Sequence, residues 1–194
     1  MHPQLIAIEG LDGTGKSGLA SALATRLGAD LLRTPGVELA PLRAPLDAHF
    51  APSAIATQLF YAATVALAST HARASLGQGR SAVIDRYWLS TVVYAKARAA
   101  SVDLACVAET LVAPDLTVYL YADVETRARR LSLRGRTAAD VDSLRNNLRL
   151  ELSYRDALSK LAPERVLPLD TASVTTEALA DRVVAALMRG AGRA

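Results

Sequence analysis

Several things are scarce in this chain. One cysteine, Cys106, stands among 194 residues, which excludes an internal disulfide framework and a Cys-rich zinc module. Its neighbours Ala105, Val107 and Ala108 continue an apolar, helical pattern, so the thiol is expected to be buried. The three histidines, His2, His49 and His71, are scattered without metal-ligand spacing. Aromatic residues make up 5%, with Trp88 the single tryptophan, too few for the stacking platform of a single-strand nucleic-acid binder. Long apolar runs are missing too. Leu5 to Ile8 stops at Glu9, and Thr57, Gln58 and Thr64 interrupt Ala54 to Leu67. Neither a signal peptide nor a membrane span is expected, and the reading is a soluble, cytoplasmic protein. Only three of the 22 cationic residues are lysine, the net charge is +3 and the pI about 9.2. That balance allows an anionic ligand without requiring nucleic acid.

What is present is enough apolar material, 51% of the chain, to bury a core. The length fits one domain spanning residues 1–194. Short apolar runs alternate with longer helical patterns. Strands are expected at Leu5–Ile8, Asp30–Arg33, Ser81–Asp85, Leu116–Tyr121 and Val166–Leu169. Helices are expected at Ser17–Leu27, Ser53–Leu76 with Ser53 as N-cap, Leu89–Arg98, Val102–Leu111, Val124–Leu133, Asp140–Leu161 and Thr175–Met188. Pro35, Pro41, Pro45 and Pro52 leave room only for short helical pieces between the second strand and the long helix. Strands and helices in alternation predict an α/β fold, a three-layer αβα sandwich around a parallel sheet of about five strands.

The strongest motif is Gly10-Leu11-Asp12-Gly13-Thr14-Gly15-Lys16-Ser17, a full G-x-x-x-x-G-K-[ST] pattern between an apolar strand and a helix. Glycines allow successive N–H groups to converge on phosphate oxygens, and the following helix adds its positive end. Lys16 is placed to bridge the terminal phosphates of ATP, and Ser17 to ligate Mg²⁺. This phosphate loop specifies a nucleotide rather than a reaction. A GTP switch would carry Asn-Lys-x-Asp, which does not occur, and the chain is short for a mechanical ATPase. A small kinase is the expected class.

Val83-Ile84-Asp85-Arg86-Tyr87 is a second apolar strand ending in an acid. In a parallel sheet that end opens on the same edge as the phosphate loop. Asp85 is positioned to hold Mg²⁺ or its water, and Arg86 to face phosphoryl transfer. Arg127, Arg129, Arg130, Arg134 and Arg136 crowd around Gly135. In a phosphotransferase such a segment closes over ATP and neutralises developing charge. The rival readings are a phosphate-backbone contact with nucleic acid and a merely solvated face.

Taken together, these motifs resemble the thymidylate kinase family of nucleoside monophosphate kinases. Ile8 to Ser17 is similar to that family's E-G-x-[DE]-G-x-G-K-[ST] opening. Arg33-Thr34-Pro35-Gly36 resembles its R-E-P-G turn, Leu59-Phe60-Tyr61-Ala62 its L-F-[YA]-A helix, and Asp85-Arg86-Tyr87 with Ser90 and Tyr94 its D-R-[YH] signature. Pro114 to Leu120 resembles its P-D-L-T strand, and Leu167 to Asp170 its last one. The resemblance implies ATP-dependent phosphorylation of dTMP. Residues Gly10 to Gly18, namely Gly10, Leu11, Asp12, Gly13, Thr14, Gly15, Lys16, Ser17 and Gly18, with Arg130, would bind ATP. Asp12, Arg33 and Pro35 would shape the acceptor site, Pro35 after a cis peptide. Arg86 would hold the acceptor phosphate, Phe60 would stack on the base and Tyr94 would pack on the deoxyribose. The phosphate loop has no arginine, which implies a catalytic arginine from a lid at about 127–142, Arg134 or Arg136. The resemblance also implies a homodimer.

The sequence departs from the family at informative places. Where typical members carry an arginine reading a base carbonyl, Thr64 stands here. Ala95 replaces a common Gln, and Arg136-Thr137-Ala138-Ala139-Asp140 replaces an acidic lid run. Losing a guanidinium from a base pocket weakens discrimination. Trp88 either fills part of that space or packs on the protein's own surface. Two alternatives therefore stand beside dTMP: a kinase of this fold acting on another or modified pyrimidine nucleotide or other small acceptor, and a regulatory nucleotide-binding ATPase.

Overall fold

The computed structural model describes residues 2–100 and 102–191. Its elements in chain order are β1 (Leu5–Gly10), α1 (Lys16–Leu27), β2 (Asp30–Arg33), a 3-10 segment (Val37–Leu42), α2 (Arg43–Phe50), α3 (Ala54–Gly77), β3 (Ala82–Asp85), α4 (Trp88–Ala97), α5 (Ala105–Ala108), β4 (Leu116–Tyr121), α6 (Val124–Arg134), α7 (Ala138–Arg145), α8 (Asn147–Leu158), β5 (Val166–Asp170) and α9 (Thr176–Ala191). The five strands form one sheet in the order β2-β3-β1-β4-β5, and every pairing is parallel. The expected αβα sandwich is what the chain forms.

The central strands β1 and β3 are mostly apolar and are covered on both faces, as a parallel sheet requires, while the edge strands β2 and β5 are only partly buried. All six residues of β1 and all four of β3 are buried. On one face Ile6, Ile8 and Val83 pack with Leu19 and Leu23 of α1 and with Leu179 and Val183 of α9. On the other, Leu5, Ala7 and Ile84 pack with Val65 and Ala72 of α3. The β1–β3 register sets Ile8 opposite Asp85, which brings the ends of these two strands side by side. The β1–β4 register sets Gly10 opposite Leu120.

Ser53 caps α3 as expected, its hydroxyl accepting the Ala56 N–H at 3.1 Å. Three local expectations are corrected. Val102–Leu111 narrows to the single turn Ala105–Ala108, in which Ala105 and Cys106 are exposed and no residue is fully buried. Cys106 is consequently exposed rather than buried. The helix expected over Asp140–Leu161 is broken at Asn146 into α7 and α8, and Thr137 and Asp140 form a capping box that starts α7 two residues earlier.

Candidate active site

The phosphate loop joins β1 to α1. Gly10 has φ +140, and a Cβ there would lie 2.2 Å from the Leu120 carbonyl oxygen. At Gly13, φ +84, a Cβ would press on the Arg127 backbone at 2.9 Å. The loop can run this close to β4 and α6 only with glycine at both positions. Inside it, the Thr14 hydroxyl donates to the Leu11 carbonyl at 2.8 Å and Lys16 Nζ donates to the same oxygen at 2.6 Å. Burial pulls the Lys16 ammonium down to about 7, helped by the nearby Arg86 charge and opposed by Asp12, Asp85 and Glu9.

Beside the loop, the Ser17 hydroxyl donates to Asp85 Oδ2 at 2.5 Å. A hydroxyl and a carboxylate at this spacing form a hard oxygen donor pair that suits Mg²⁺, a cation that completes its shell with water and phosphate oxygens. Among the described residues no three His, Cys, Asp or Glu gather as a metal cage.

Arg86 follows Asp85 in the left-handed region, φ +67, a strained setting for a non-glycine residue. Its N–H is held by the Ile8 carbonyl at 3.0 Å and its own carbonyl by the Thr34 hydroxyl at 2.7 Å. This backbone turn swings the guanidinium back over the phosphate loop. There it donates to the Gly10 carbonyl and the Ser90 hydroxyl, both at 3.2 Å, and forms an ion pair with Asp12. Tyr94 donates to the other Asp12 oxygen at 2.8 Å. Burial alone would raise the Asp12 pKa, but Arg86 and Lys16 overcome it and hold the carboxyl well below the usual carboxylate range. Burial pushes the Tyr94 hydroxyl up to about 12, so it acts as a donor.

Glu9 supports this group from below. Its carboxylate accepts the N–H groups of Tyr87 and Ser90, at 2.9 and 3.2 Å, and so caps α4 from the end of β1. The Ser90 hydroxyl donates to it at 2.5 Å. Burial raises the Glu9 pKa.

Asp12, Arg86 and Tyr94 line an open cleft that continues between α2, α3, α4 and α7. Thr34 and Thr91 border it, and its far part is walled by Asp47, Gln58, Tyr61, Ala95 and Arg98. Three of the expected acceptor residues thus converge here. Others do not: Arg33 is exposed at the end of β2, Pro35 follows the cis bond after Thr34, and it is Thr34 that borders the cavity. Phe60 faces away and stacks on Phe50 with centroids 5.4 Å apart, while Tyr61, one residue on, lies in the wall. Thr64 is buried and donates back to the Tyr61 carbonyl at 2.8 Å. Trp88 packs against the core under α3 and does not line this cleft.

The lid arginines are tied elsewhere. Arg134 pairs with Asp140 at 2.7 Å while more than half exposed, and Arg136 folds back onto the Ala128 carbonyl at 3.1 Å. Arg130 reaches the loop, with Nη1 3.4 Å from the Gly13 carbonyl and 2.9 Å from the Thr171 hydroxyl. Gly15 caps α1, and Gly18 lies within its first turn.

Sequence reasoning passed over Arg43, Asp47, Gln58, Tyr61 and Arg98. The spacing of Gln58 and Tyr61, three apart on one helix, was the available signal for a shared face. It also passed over Arg127 as an individual. That side chain is fully buried, its Nε donates to the Asp12 carbonyl at 2.8 Å, and its Nη2 has no partner.

The family model described as thymidylate kinase matches residues 8–182. The probable thymidylate kinase of Archaeoglobus fulgidus is 29% identical over 144 residues, covering 68% of this chain and 71% of that protein. The solved thymidylate kinase of Candida albicans superposes with a TM-score of 0.77 at 22% identity, covering 97% of this chain and 92% of that one. A deoxyadenosine kinase from M. mycoides superposes with a TM-score of 0.73 at 18% identity, covering 95% and 99%.

Proposed function

This chain belongs to the thymidylate kinase family, and from that premise we propose how its residues move a phosphoryl group from ATP to dTMP. It is a nucleoside monophosphate kinase. The observation that carries the assignment of roles is the Arg86–Asp12–Tyr94 group at the point where the phosphate loop meets the cleft between α2, α3, α4 and α7. A polyphosphate on one side and a monophosphate on the other meet at that point.

The loop N–H groups and Lys16 bind the β- and γ-phosphates of ATP. Arg86, held by Gly10 and Ser90, orients the acceptor phosphate, and Asp12 keeps that guanidinium in place. Tyr94 sits where the deoxyribose passes. Ser17 and Asp85 would hold Mg²⁺, which when bound supplies charge neutralisation on the phosphates. An acceptor phosphate oxygen forms a bond to the γ-phosphorus as the bond from that phosphorus to the β-bridging oxygen breaks, and ADP and dTDP leave. No protein nucleophile is required; positioning and charge do the work. The segment 127–142 acts as the lid, and closure requires Arg134 or Arg136 to leave Asp140 or Ala128 for the phosphates. The chain functions as one domain in the cytoplasm and pairs as a homodimer through α3 and α4, where Ile55, Leu59 and Val92 are exposed. Among the described residues no helix is long and apolar enough to cross a membrane.

Purified protein with ATP, Mg²⁺ and separate dTMP, dUMP, dCMP, UMP, CMP and dGMP tests the reading. ADP formation that depends on dTMP supports it. ATP hydrolysis indifferent to every acceptor, or turnover confined to another acceptor, overturns it.

A further inference from the structure

The cavity has an order along its length. Asp12 and Arg86, beside the phosphate loop, mark the end where phosphoryl transfer takes place. Tyr94 comes next, with the Arg86 guanidinium 5.5 Å from its ring centre and the Arg98 guanidinium 5.7 Å from it. Tyr94 thus stands between two cations, one at the phosphate end and one further out. Arg98 also lies 6.0 Å from the centre of the Tyr61 ring. Two aromatic faces hold its carbon stem and plane, and among the described residues no carboxylate pairs with it and no acceptor takes its side-chain N–H groups. The other arginine of this part, Arg43, is 3.6 Å from Asp47 on its own helix, and its charge reaches Asp12. Arg98 is therefore the guanidinium with free donors at the outer end.

Gln58 of α3 lines the same cleft as Arg98. Its Nε2 donates to the Val102 carbonyl at 2.9 Å, which decides which way round the amide lies. Its Oε1 is buried and has no partner. A buried carbonyl oxygen without a donor is unfavourable until a ligand supplies one. Thr64 cannot read a base, since its hydroxyl is turned back to the Tyr61 carbonyl inside α3.

We propose that Arg98 and Gln58 read the edge of the acceptor base, the guanidinium donating to a ring carbonyl and the Gln58 oxygen accepting from the adjacent ring N–H. The proposal rests on the kinase reading above and adds its specificity determinant: the base arginine enters from the C-terminal end of α4 instead of from α3. A donor beside an acceptor matches a pyrimidine with a 4-carbonyl next to N3–H. It mismatches cytosine, which presents an amino group and a bare ring nitrogen at the same two places.

Calorimetric titration of dTMP and dCMP, without ATP, into the wild type, Arg98→Ala and Gln58→Leu tests this apart from turnover. Wild type binds dTMP more tightly than dCMP. Arg98→Ala lowers dTMP affinity roughly ten- to hundred-fold, the range of a lost charged hydrogen bond, and leaves dCMP affinity within about two-fold. Gln58→Leu moves the same ratio in the same direction. Since Arg98 is exposed, its variant melts like the wild type, so the result stands even where Gln58→Leu weakens the Val102 contact. Equal effects of Arg98→Ala on both nucleotides, no effect on either, or a wild type without preference overturns the proposal. Failure of the kinase reading is a separate outcome, read as absent dTMP-dependent ADP formation by the wild type.

Discussion

The Ser17 hydroxyl and the Asp85 carboxylate meet at 2.5 Å, joining the first turn of α1 to the last residue of β3. Neither residue is near the other in sequence. The parallel register that sets Ile8 beside Asp85 brings them together. If this pair holds Mg²⁺ against the phosphates, Asp85→Asn keeps the fold but loses a charged ligand. The Mg²⁺ concentration giving half-maximal turnover then rises about ten- to hundred-fold, the range for disturbed metal ligation. A metal titration of activity checks it, and an unchanged midpoint removes Asp85 from the metal site.

Lys16 makes ATP binding depend on protons. With its pKa pulled down to about 7 by burial, the folded chain holds one proton fewer than the unfolded chain between about pH 7 and the free lysine value near 10.4. This group therefore adds stability as pH rises through that window, because the unfolded state binds more protons there. ATP phosphates favour the charged ammonium, so binding above pH 7 takes up a proton and ATP affinity falls as pH rises. Calorimetry at pH 8.5 in two buffers of different ionisation heat shows the uptake as a difference in apparent enthalpy. Lys16→Met abolishes turnover and the difference; identical enthalpies for the wild type contradict the assignment.

Arg86→Ala removes the cation from Asp12 and the acceptor phosphate together. With dTMP varied at saturating ATP, kcat/KM falls at least about a hundred-fold, the scale of a lost charged contact and a carboxylate left partly buried. The Asp12 carboxyl then titrates upward, since burial is no longer offset by Arg86. A variant with ordinary kcat/KM would show that the acceptor phosphate lies elsewhere.

Gly10→Ala and Gly28→Ala separate crowding from backbone strain. Both glycines have positive φ, but a Cβ at Gly28 meets nothing within 4 Å, whereas one at Gly10 strikes the Leu120 carbonyl. Chemical denaturation is expected to show a loss of about 1 kcal/mol at Gly28 and more than about 3 kcal/mol at Gly10, where strain and overlap combine.

Arg127→Met tests a buried cation behind the loop. Burial lowers the Arg127 pKa, and its Nη2 has no partner, while the nearest carboxylate, on Glu151, is 3.8 Å away and substantially exposed. Replacing such a group with an apolar one of similar length changes stability by less than about 2 kcal/mol. Turnover falls, because the Asp12 carbonyl loses its tether at 2.8 Å. Equal activity with lowered stability would make Arg127 a structural residue alone.

The phosphate loop, the acid ending β3 and the parallel sheet were legible in the chain because each is local. A glycine pattern, a lysine beside it and an apolar run before it lie within a dozen residues, and hydrophobic continuity marks a strand covered on both faces. The base end of the cavity was not legible in this way. Rotation of α3 by one residue's phase puts Tyr61 in the wall and Phe60 on Phe50, and the pattern L-F-Y-A contains no preference between them. Asp47 lies on α2, Gln58 on α3 and Arg98 just past the end of α4, forty residues further along, so only packing decides that they share a space. Cys106 illustrates the same limit in the other direction: an apolar local pattern promised burial, but no layer of the fold lies over its turn. By itself the sequence determined the chemistry of the phosphate end, since local backbone geometry and charge are encoded where they act. The tertiary structure decided which side chains meet the acceptor base, because that wall exists only where separate helices pack.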